Sequence, residues 1–202
     1  MNKGLLVTIV VLAIVLIGGC SAYKSLQNGL NASKNNVDKE WAQVQNVYQR
    51  RADLIPNLVS TVKAAAAHEE NTYVAVAEAR AKATQMTVNA SDLTPEKMKE
   101  FQANQGQLSQ ALGKLLSIQE NYPQLQANQN FLNLQDELAG TENRIANERM
   151  NFNNAVQEYN TKVTNWPTSM VANSMGFKER PTFAADADAQ KAPKVSNDGG
   201  KF

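Results

Sequence analysis

Residues 131–166 read FLNLQDELAGTENRIANERMNFNNAVQEYNTKVTNW. Seven residues are close to two turns of an α-helix, so side chains spaced by seven lie along one narrow face. Such a face is suited to packing against other helices, and at this spacing aromatic side chains are more typical of a core than of a cofactor site. The large apolar residues at this spacing are Phe131, Leu138, Ile145, Phe152, Tyr159 and Trp166, flanked by Leu134, Val156 and Val163.

Two upstream segments show the same spacing, and neither alternates β-branched with polar residues as a strand would. The pattern therefore predicts an all-α protein. Large apolar side chains in such stripes each contribute about 1.5–3 kcal/mol when buried, before entropy is subtracted. The upstream stripes are Leu30, Val37 and Val44 with Trp41 and Tyr48, then Phe101, Leu108 and Leu115 with Met98 and Leu112.

Capping residues and prolines predict where the helices begin and end. Thr94-Pro95-Glu96 combines an N-cap, a proline at the first helical position and an acid in the first turn, so a helix begins at 95. It ends near 120, ahead of Pro123, and the next helix runs to about 165, where Trp166-Pro167 stops it. Residues 87–93 are predicted to form a loop.

Composition excludes several classes of protein. The chain has 202 residues, a net charge of +1, one Cys and one His. One Cys forms no internal disulfide, and one Cys with one His cannot complete a zinc site of four such ligands. The balanced charge lacks the basic excess that is typical of nucleic-acid binding, so no nucleic-acid partner is expected.

The N-terminus is predicted to be a membrane signal or anchor over residues 1–20. Leu5 to Ile17 are apolar apart from Thr8, and Gly18-Gly19-Cys20 follows. This pattern fits a bacterial lipoprotein signal that is cleaved before Cys20, whose thiol is then acylated. The alternative is an uncleaved transmembrane helix, since residues 4–23 carry no charge and about 20 residues span a bilayer.

The two alternatives place the domain on different sides of the membrane. A lipidated Cys20 would leave the domain outside the cytoplasm. For an uncleaved anchor, Lys24, Lys34 and Lys39 follow the apolar segment and only Lys3 precedes it, which favours a cytoplasmic domain.

The segment RRADLIPNLV, residues 50–59, interrupts the helical pattern. Pro56 cannot donate to the carbonyl of Ala52, so we expect either a kink or a break in which Asp53 caps a new helix. Asp53 would then form an ion pair with Arg50 or Arg51. Alternatively, Arg51 and Asp53 present a polar patch to a partner.

Charged residues also occur within the long C-terminal stripe. Arg144 and Glu148 are four apart, which predicts an exposed ion pair. Glu142 and Arg149 fall at the flanking position held further on by Val156 and Val163, so they border the core. We expect them to pair with charges on another helix, for instance Arg51 or Asp53, in a polar network that sets helix register.

The ordered motifs of residues 22–183 resemble the LemA family. The resemblance implies a membrane-tethered bundle of long antiparallel helices, four-helix-like, whose molecular function is not settled. Family members usually carry one N-terminal transmembrane helix and a cytoplasmic domain, and this chain departs from them at Cys20. The motifs are Arg50–Val59, Thr61–Lys63, His68-Glu69, Ala79-Arg80, Tyr122-Pro123, Phe131–Leu138, Thr141–Ala146, Arg149, Phe152-Asn153, Ala155-Val156, Tyr159-Asn160 and Gly176-Phe177.

Catalytic motifs are incomplete in this sequence. His68-Glu69 begins like a zincin motif, but residue 72 is Thr where the second His is due. A di-iron bundle needs two Glu-x-x-His pairs, and no Gly-x-Ser-x-Gly elbow occurs. We therefore expect no enzyme activity, metal or cofactor, and His68 is predicted to be a polar or interfacial helix residue beside Glu69.

These features predict a membrane-attached scaffold or protein-interaction module. The alternatives are a lipid-surface or membrane-remodelling protein and, third, an enzyme that relies on carboxylates alone. A homo-oligomer through the Asn/Gln-rich faces is a further expectation. By family resemblance, the partners are a TPM-domain membrane protein or a zinc membrane peptidase. After one amphipathic turn near 170–177 and a segment packing through Phe177 and Phe183, residues 184–202 are predicted to form a disordered tail.

Overall fold

The computed structural model describes residues 3–184, and this part of the chain contains helices and no strand. The all-α class is therefore confirmed for the described residues. The predicted tail lies outside them from residue 185 onward. The α-helices are α1 Lys3–Ala65, α2 Glu70–Gln85, α3 Pro95–Ser117, α4 Pro123–Gln126, α5 Gln129–Thr164 and α6 Thr168–Met175, with 3-10 turns at Ala90–Asp92 and Ile118–Glu120.

Helix α1 lies along α5, and the two run antiparallel. Ser33 of α1 accepts a hydrogen bond from Lys162, whereas Arg51 meets Glu142, so positions rise on one helix as they fall on the other. Helices α2 and α3 pair in the same antiparallel sense, since Gln105 donates to the carbonyl of Ala83 while the earlier Asn104 donates to the sulfur of the later Met86. We call the packed part of the chain, residues 26–184, the body.

Two apolar clusters form the interior of the body, one above the other along the helices. The Trp41 core centres on an aromatic group in which the Trp41 ring lies 5.3 Å from both Phe101 and Phe152. Phe183 closes the group at 5.5 Å from Phe152, and the Trp41 indole donates to the carbonyl of Val88 at 2.7 Å. The Leu58 core contains Ile55, Leu58, Val62, Val76, Leu108, Leu112, Leu115, Leu125, Phe131 and Leu138.

The apolar residues of the predicted stripes are buried, apart from Leu134, which is partly buried, and one residue at the end of the last stripe. Phe131, Leu138, Ile145, Phe152 and Tyr159 all lie in the core. Trp166 is 79% exposed, so its predicted place in the stripe is wrong. Helix α5 ends at Thr164 and Asn165 is extended, so the seven-residue periodicity no longer controls where Trp166 points.

Helix boundaries match the predictions at α3 and differ ahead of α5. Helix α3 begins at Pro95, and the Thr94 hydroxyl accepts a hydrogen bond from the Lys97 amide at 3.3 Å. After Pro123 only one turn forms, and α5 begins at Gln129 rather than at the proline. The Asn128 side chain caps α5 by accepting from the amides of Asn130 and Phe131, a cap that the prediction overlooked.

An extended segment, residues 178–184, lies along α5 and is held by two asparagines. Asn160 accepts from the Arg180 amide and donates to the Arg180 carbonyl, and Asn153 does the same with Phe183. Asn153 and Asn160 are seven helical residues apart, which is a rise of about 10.5 Å, and Arg180 and Phe183 are three extended residues apart, which is about 10–11 Å. The matching spacings let the two amides satisfy the segment's backbone and seat Phe183 in the Trp41 core.

Candidate functional site

A polar layer separates the Trp41 core from the Leu58 core. On α1, Tyr48 belongs to the first core and Ile55 to the second, with Arg51 between them. On α3, Gln105 lies between Phe101 and Leu108 in the same way. Thr141 and Glu142 occupy this level on α5, so three helices each contribute polar side chains to one cross-section of the body.

Arg51 is the centre of this polar layer and is only 1% exposed. One terminal nitrogen donates to Glu142 Oε1 at 2.8 Å and to Ser109 Oγ at 2.9 Å. The other donates to Gln105 Oε1 at 2.5 Å. A buried guanidinium requires such partners, because burying an unpaired charge costs several kcal/mol. Glu142 was expected to pair with a charge on another helix, for instance Arg51 or Asp53, and it pairs with Arg51.

The partners of Arg51 differ in their access to water. The Glu142 side chain is 46% exposed, so its carboxylate keeps part of its hydration while it neutralises the buried guanidinium. The guanidinium carbon lies 5.0 Å from the centre of the Tyr48 ring, a cation–π contact on the side of the Trp41 core. Arg51 Nε has no hydrogen-bond partner among the described atoms. A cleft of about 230 Å³ opens beside Arg51, Glu142 and Arg149.

Pro56 lies inside α1, which continues without a break to Ala65. The predicted break with Asp53 as an N-cap is therefore wrong. Proline cannot supply the amide that would normally bond the carbonyl four residues earlier, here that of Ala52. Arg80 of α2 takes that place, since its Nε donates to the Ala52 carbonyl at 2.8 Å. A side chain from the next helix thus satisfies the carbonyl that Pro56 leaves free.

This arrangement predicts energetic coupling between Arg80 and Pro56. Arg80→Met should lower the free energy of unfolding by about 1–3 kcal/mol, because it leaves a partly buried carbonyl unpaired. In a Pro56→Ala background the residue 56 amide bonds that carbonyl, and the same substitution should cost less than about 1 kcal/mol. A double-mutant cycle by urea unfolding measures the difference, and equal costs in both backgrounds would contradict the pairing.

The other predicted charges occupy different positions. Asp53 is exposed and accepts from Gln49 at 2.8 Å, and it forms no ion pair with Arg50 or Arg51. Arg50 instead lies 3.8 Å from Glu137. The expected pair of Arg144 with Glu148 is also wrong: Arg144 is exposed, and Glu148 accepts from Asn151 at 3.1 Å. No polar patch of Arg51 and Asp53 exists, because one side chain is buried and the other faces solvent.

Arg149 joins the C-terminal segment to the polar layer. Its Nη2 donates to the Ala184 carbonyl at 3.1 Å, and its guanidinium lies 4.9 Å from the centre of the Phe183 ring. The side chain also borders the cleft beside Glu142. Arg149 therefore lies at the edge of the core, as its position in the stripe predicted.

His68 and Glu69 lie in the turn that joins α1 to α2. His68 is exposed and not helical, so the prediction of a helix residue is wrong. Three non-helical residues ahead of Glu69 reverse the chain, and the turn is fixed by the Tyr73 hydroxyl, which donates to the Ala66 carbonyl at 2.5 Å. Glu69 accepts from the Tyr122 hydroxyl at 3.4 Å. In the described part of the chain, no group of three or more His, Cys, Asp or Glu side chains is placed to hold a metal.

A second ion-pair group fastens the C-terminal segment to α1. Asp38 accepts hydrogen bonds from Arg180 and from Lys34. Burial raises the pKa of Asp38, but the hydrogen bonds and positive charges of Arg180 and Lys34 outweigh it and leave the pKa below the usual 3.8. Arg180 also lies over the Tyr159 ring at 5.5 Å.

This lowered pKa predicts an acid-sensitive contribution to stability. A carboxyl whose pKa is depressed by folding stabilises the folded state above its unfolded pKa, and this contribution is lost as the pH falls through the folded pKa. Asp38→Asn should therefore destabilise the chain at neutral pH, and its difference from wild type should begin to shrink as the pH falls below about 4. Thermal unfolding between pH 7 and pH 3 measures this, and a constant difference across that range would contradict it.

The N-terminal segment projects from the body as the first part of α1. Every residue from Gly4 to Lys24 is exposed, including Cys20, and the backbone stays helical through Gly18 and Gly19. Within the described residues, α1 contains the one stretch long and apolar enough to cross a membrane. None of that stretch is buried against the body.

Several contributors to the site were missed in the sequence. Gln105, Ser109 and Arg80 are polar residues of ordinary-looking helices, and only the packing shows what they face. Asn153 and Asn160 did carry a signal, since they repeat at seven residues beside Phe152 and Tyr159. An Asn side chain can donate and accept at once, so a pair of them beside a core stripe is suited to bind the backbone of a neighbouring segment.

Comparison with known proteins identifies relatives of this chain. The sequence model of the LemA family matches residues 40–196. Magnetosome protein MamQ 2 of Paramagnetospirillum magneticum is 35% identical over 78 residues, which cover 39% of this chain. Magnetosome protein MamQ of Magnetospirillum gryphiswaldense is 36% identical over 78 residues. The matched part spans 29% of the length of each of these relatives.

Proposed function

The chain belongs to the LemA family, and on that premise we propose that it is a membrane-tethered helical bundle that acts as a non-enzymatic scaffold or interaction module. The observation that carries this proposal is the exposed apolar segment Leu5–Ile17 at one end of a helix whose other end lies in the body. Apolar side chains that pack against nothing in the described part of the chain require another apolar environment.

The length of the segment supports a bilayer as that environment. Residues 4–23 carry no charge, and twenty helical residues extend about 30 Å, the thickness of the hydrocarbon core. Since α1 continues into the body without interruption, the body would be held at a fixed height above the membrane surface rather than on a loose linker. A fixed height suits a protein that positions a partner.

The polar layer supports an architectural role more than a chemical one. The terminal nitrogens of Arg51 donate hydrogen bonds to side chains of α3 and α5, and Glu142 is one of these acceptors. These groups hold helices in register, as buried polar networks do in some helical proteins. A partner would therefore bind the exposed helix faces.

The partner proposals rest on family resemblance. A TPM-domain membrane protein and a zinc membrane peptidase are candidates, and self-association is the third. Purification of the full chain from membranes in mild detergent, followed by mass spectrometry and light scattering, tests the proposal. We expect a stoichiometric membrane-protein partner or a defined homo-oligomer. A chain that is membrane-bound yet always monomeric and alone would count against the scaffold role.

The form of attachment is tested by the intact mass of the membrane-extracted chain. A mature chain that begins at an acylated Cys20 identifies a lipoprotein with its body outside the cytoplasm. A chain that begins at Met1 without lipid identifies a single-pass anchor, for which the lysines after the span favour a cytoplasmic body. Both results keep the membrane attachment on which the scaffold proposal depends.

A further inference from the structure

The exposed apolar side chains of the body gather at the end nearest the N-terminal segment. Within the described residues of the body, the large apolar residues that are exposed are Val74, Met150, Trp166, Met170 and Met175. Three of these five belong to α6 or to the residues just before it, and Tyr23, the last residue of the uncharged segment 4–23, is exposed on the adjoining turn of α1. Trp166 and Met170 are the most exposed, at 79% and 66%.

The position of α6 relative to α1 is fixed by direct contacts. The Tyr23 hydroxyl lies 3.5 Å from the Ser174 hydroxyl, which places α6 beside the last uncharged residue of the N-terminal segment. Val171 and Ala172 are buried against the body, so α6 cannot turn its apolar residues inward. Lys24, the first charge after the segment, follows Tyr23 directly and is exposed.

From this juxtaposition we infer that α6 and Trp166 form a second membrane contact, lying in the interfacial region of the same bilayer that holds the N-terminal segment. This inference rests on the proposed membrane tether. Tyr and Trp concentrate where headgroups meet acyl chains, because their rings are apolar and their polar atoms stay hydrated. Met170 and Met175 add flexible apolar area on the same short helix.

Either form of attachment leads to the same contact. An uncleaved span of residues 4–23 ends at Tyr23, and an acylated Cys20 lies three residues before it. In both cases Tyr23 is at the membrane surface, and Ser174 brings α6 to that level. Two separate contacts, one along α1 and one on α6, would set the tilt of the body, whereas a single helix leaves it free to lean.

The two tryptophans allow a direct test in the full chain. Trp41 is buried and lies eighteen residues beyond Tyr23 on α1, about 27 Å further from the membrane. The chain is reconstituted into phosphatidylcholine vesicles that contain lipids brominated near the glycerol end of the acyl chains. Quenching by bromine acts only at short range, so it reports the tryptophan at the interface.

We expect brominated vesicles to quench the part of the wild-type fluorescence that comes from Trp166. The remaining emission spectrum should then approach that of the buried Trp41. Trp166→Phe should abolish this quenching without unfolding the chain, since the Trp166 side chain faces solvent in the body. The matched control is Trp166→Phe/Val74→Trp. Val74 is also exposed but borders the same surface depression as Lys63, at the far end of α1, so its tryptophan should stay unquenched.

Flotation of the same vesicles separates the two proposals. A chain that floats while wild type and Trp166→Phe are quenched equally, or not at all, overturns the α6 contact and leaves the tether intact. Equal quenching of the Val74→Trp control also overturns it, because lipid contact would then not be specific to α6. A chain that does not float overturns the tether and with it this inference.

Discussion

Replacing Glu142 by leucine is expected to lower the free energy of unfolding by about 2–3 kcal/mol. Removing one partner of a buried ion pair typically costs about 3–5 kcal/mol, because the other charge stays buried and unpaired. Half of the Glu142 side chain is in contact with water, which places the expected cost below that range. Arg51 would keep Gln105 and Ser109 as neutral partners but lose its counter-charge.

The counterpart substitution distinguishes a charge effect from a packing effect. In a Glu142→Leu background, Arg51→Met removes the guanidinium that is left buried without a counter-charge, so Arg51→Met/Glu142→Leu should be more stable than Glu142→Leu alone by about 1–2 kcal/mol. Glu137→Leu is the matched control on the same helix. Its carboxylate lies 3.8 Å from an exposed Arg50, and the expected change is within about 0.5 kcal/mol.

Urea unfolding followed by circular dichroism measures the free energy of unfolding of the wild type and of each variant, and light scattering reports the oligomeric state. A Glu142→Leu chain of unchanged or raised stability and unchanged oligomeric state would contradict the role of the polar layer in setting register. The role would also be contradicted if Glu142→Leu lost no more free energy of unfolding than Glu137→Leu, because the Arg51–Glu142 pair would then contribute only as much as an exposed surface ion pair.

Phe152→Ala is expected to destabilise the body most, by about 3–5 kcal/mol. The ring is fully buried, contacts Trp41 at 5.3 Å and Phe183 at 5.5 Å, and joins α1, α5 and the C-terminal segment in one cluster. Truncation leaves a cavity among rigid rings that cannot collapse into it. The thermal unfolding temperature should fall accordingly.

Trp166→Ala is the matched control, because Trp166 continues the same seven-residue spacing but is exposed. In detergent its effect on unfolding should stay within about 0.5 kcal/mol. Comparable losses for the two substitutions would contradict the assignment of Trp166 to the surface. A loss below about 1 kcal/mol for Phe152→Ala would contradict the central place of the aromatic cluster.

The fold was predictable from sequence to the extent that it depends on helical periodicity. The stripes through Trp41, Phe101 and Phe152 identified core faces, because apolar residues that recur at the helical period lie on one face and that face is buried. It was also predictable that Glu142 pairs with a charge on another helix, since a charge that borders a core stripe needs an opposite charge nearby, and the structure selects Arg51 from the two expected partners.

What sequence could not reveal are contacts decided by three-dimensional neighbours. Pro56 predicted a defect in α1, but whether the helix breaks depends on a donor from elsewhere, and Arg80 supplies it from α2. His68 was predicted to be helical, but the chain reverses after Ala66 and leaves His68 exposed in a turn. Trp166 matched the stripe in spacing yet followed the last helical residue, so its direction was set by the loop.

The central claim is that the N-terminal segment holds the body on a membrane, and flotation of cell membranes tests it most directly. The full chain is compared with Val11→Arg/Ile14→Arg and with the matched control Val11→Leu/Ile14→Leu. Two arginines near the middle of the segment oppose insertion by about 5–7 kcal/mol in total. We predict that wild type and the leucine control float with membranes and that the arginine variant stays in the soluble fraction; an arginine variant that floats as wild type does would contradict the claim.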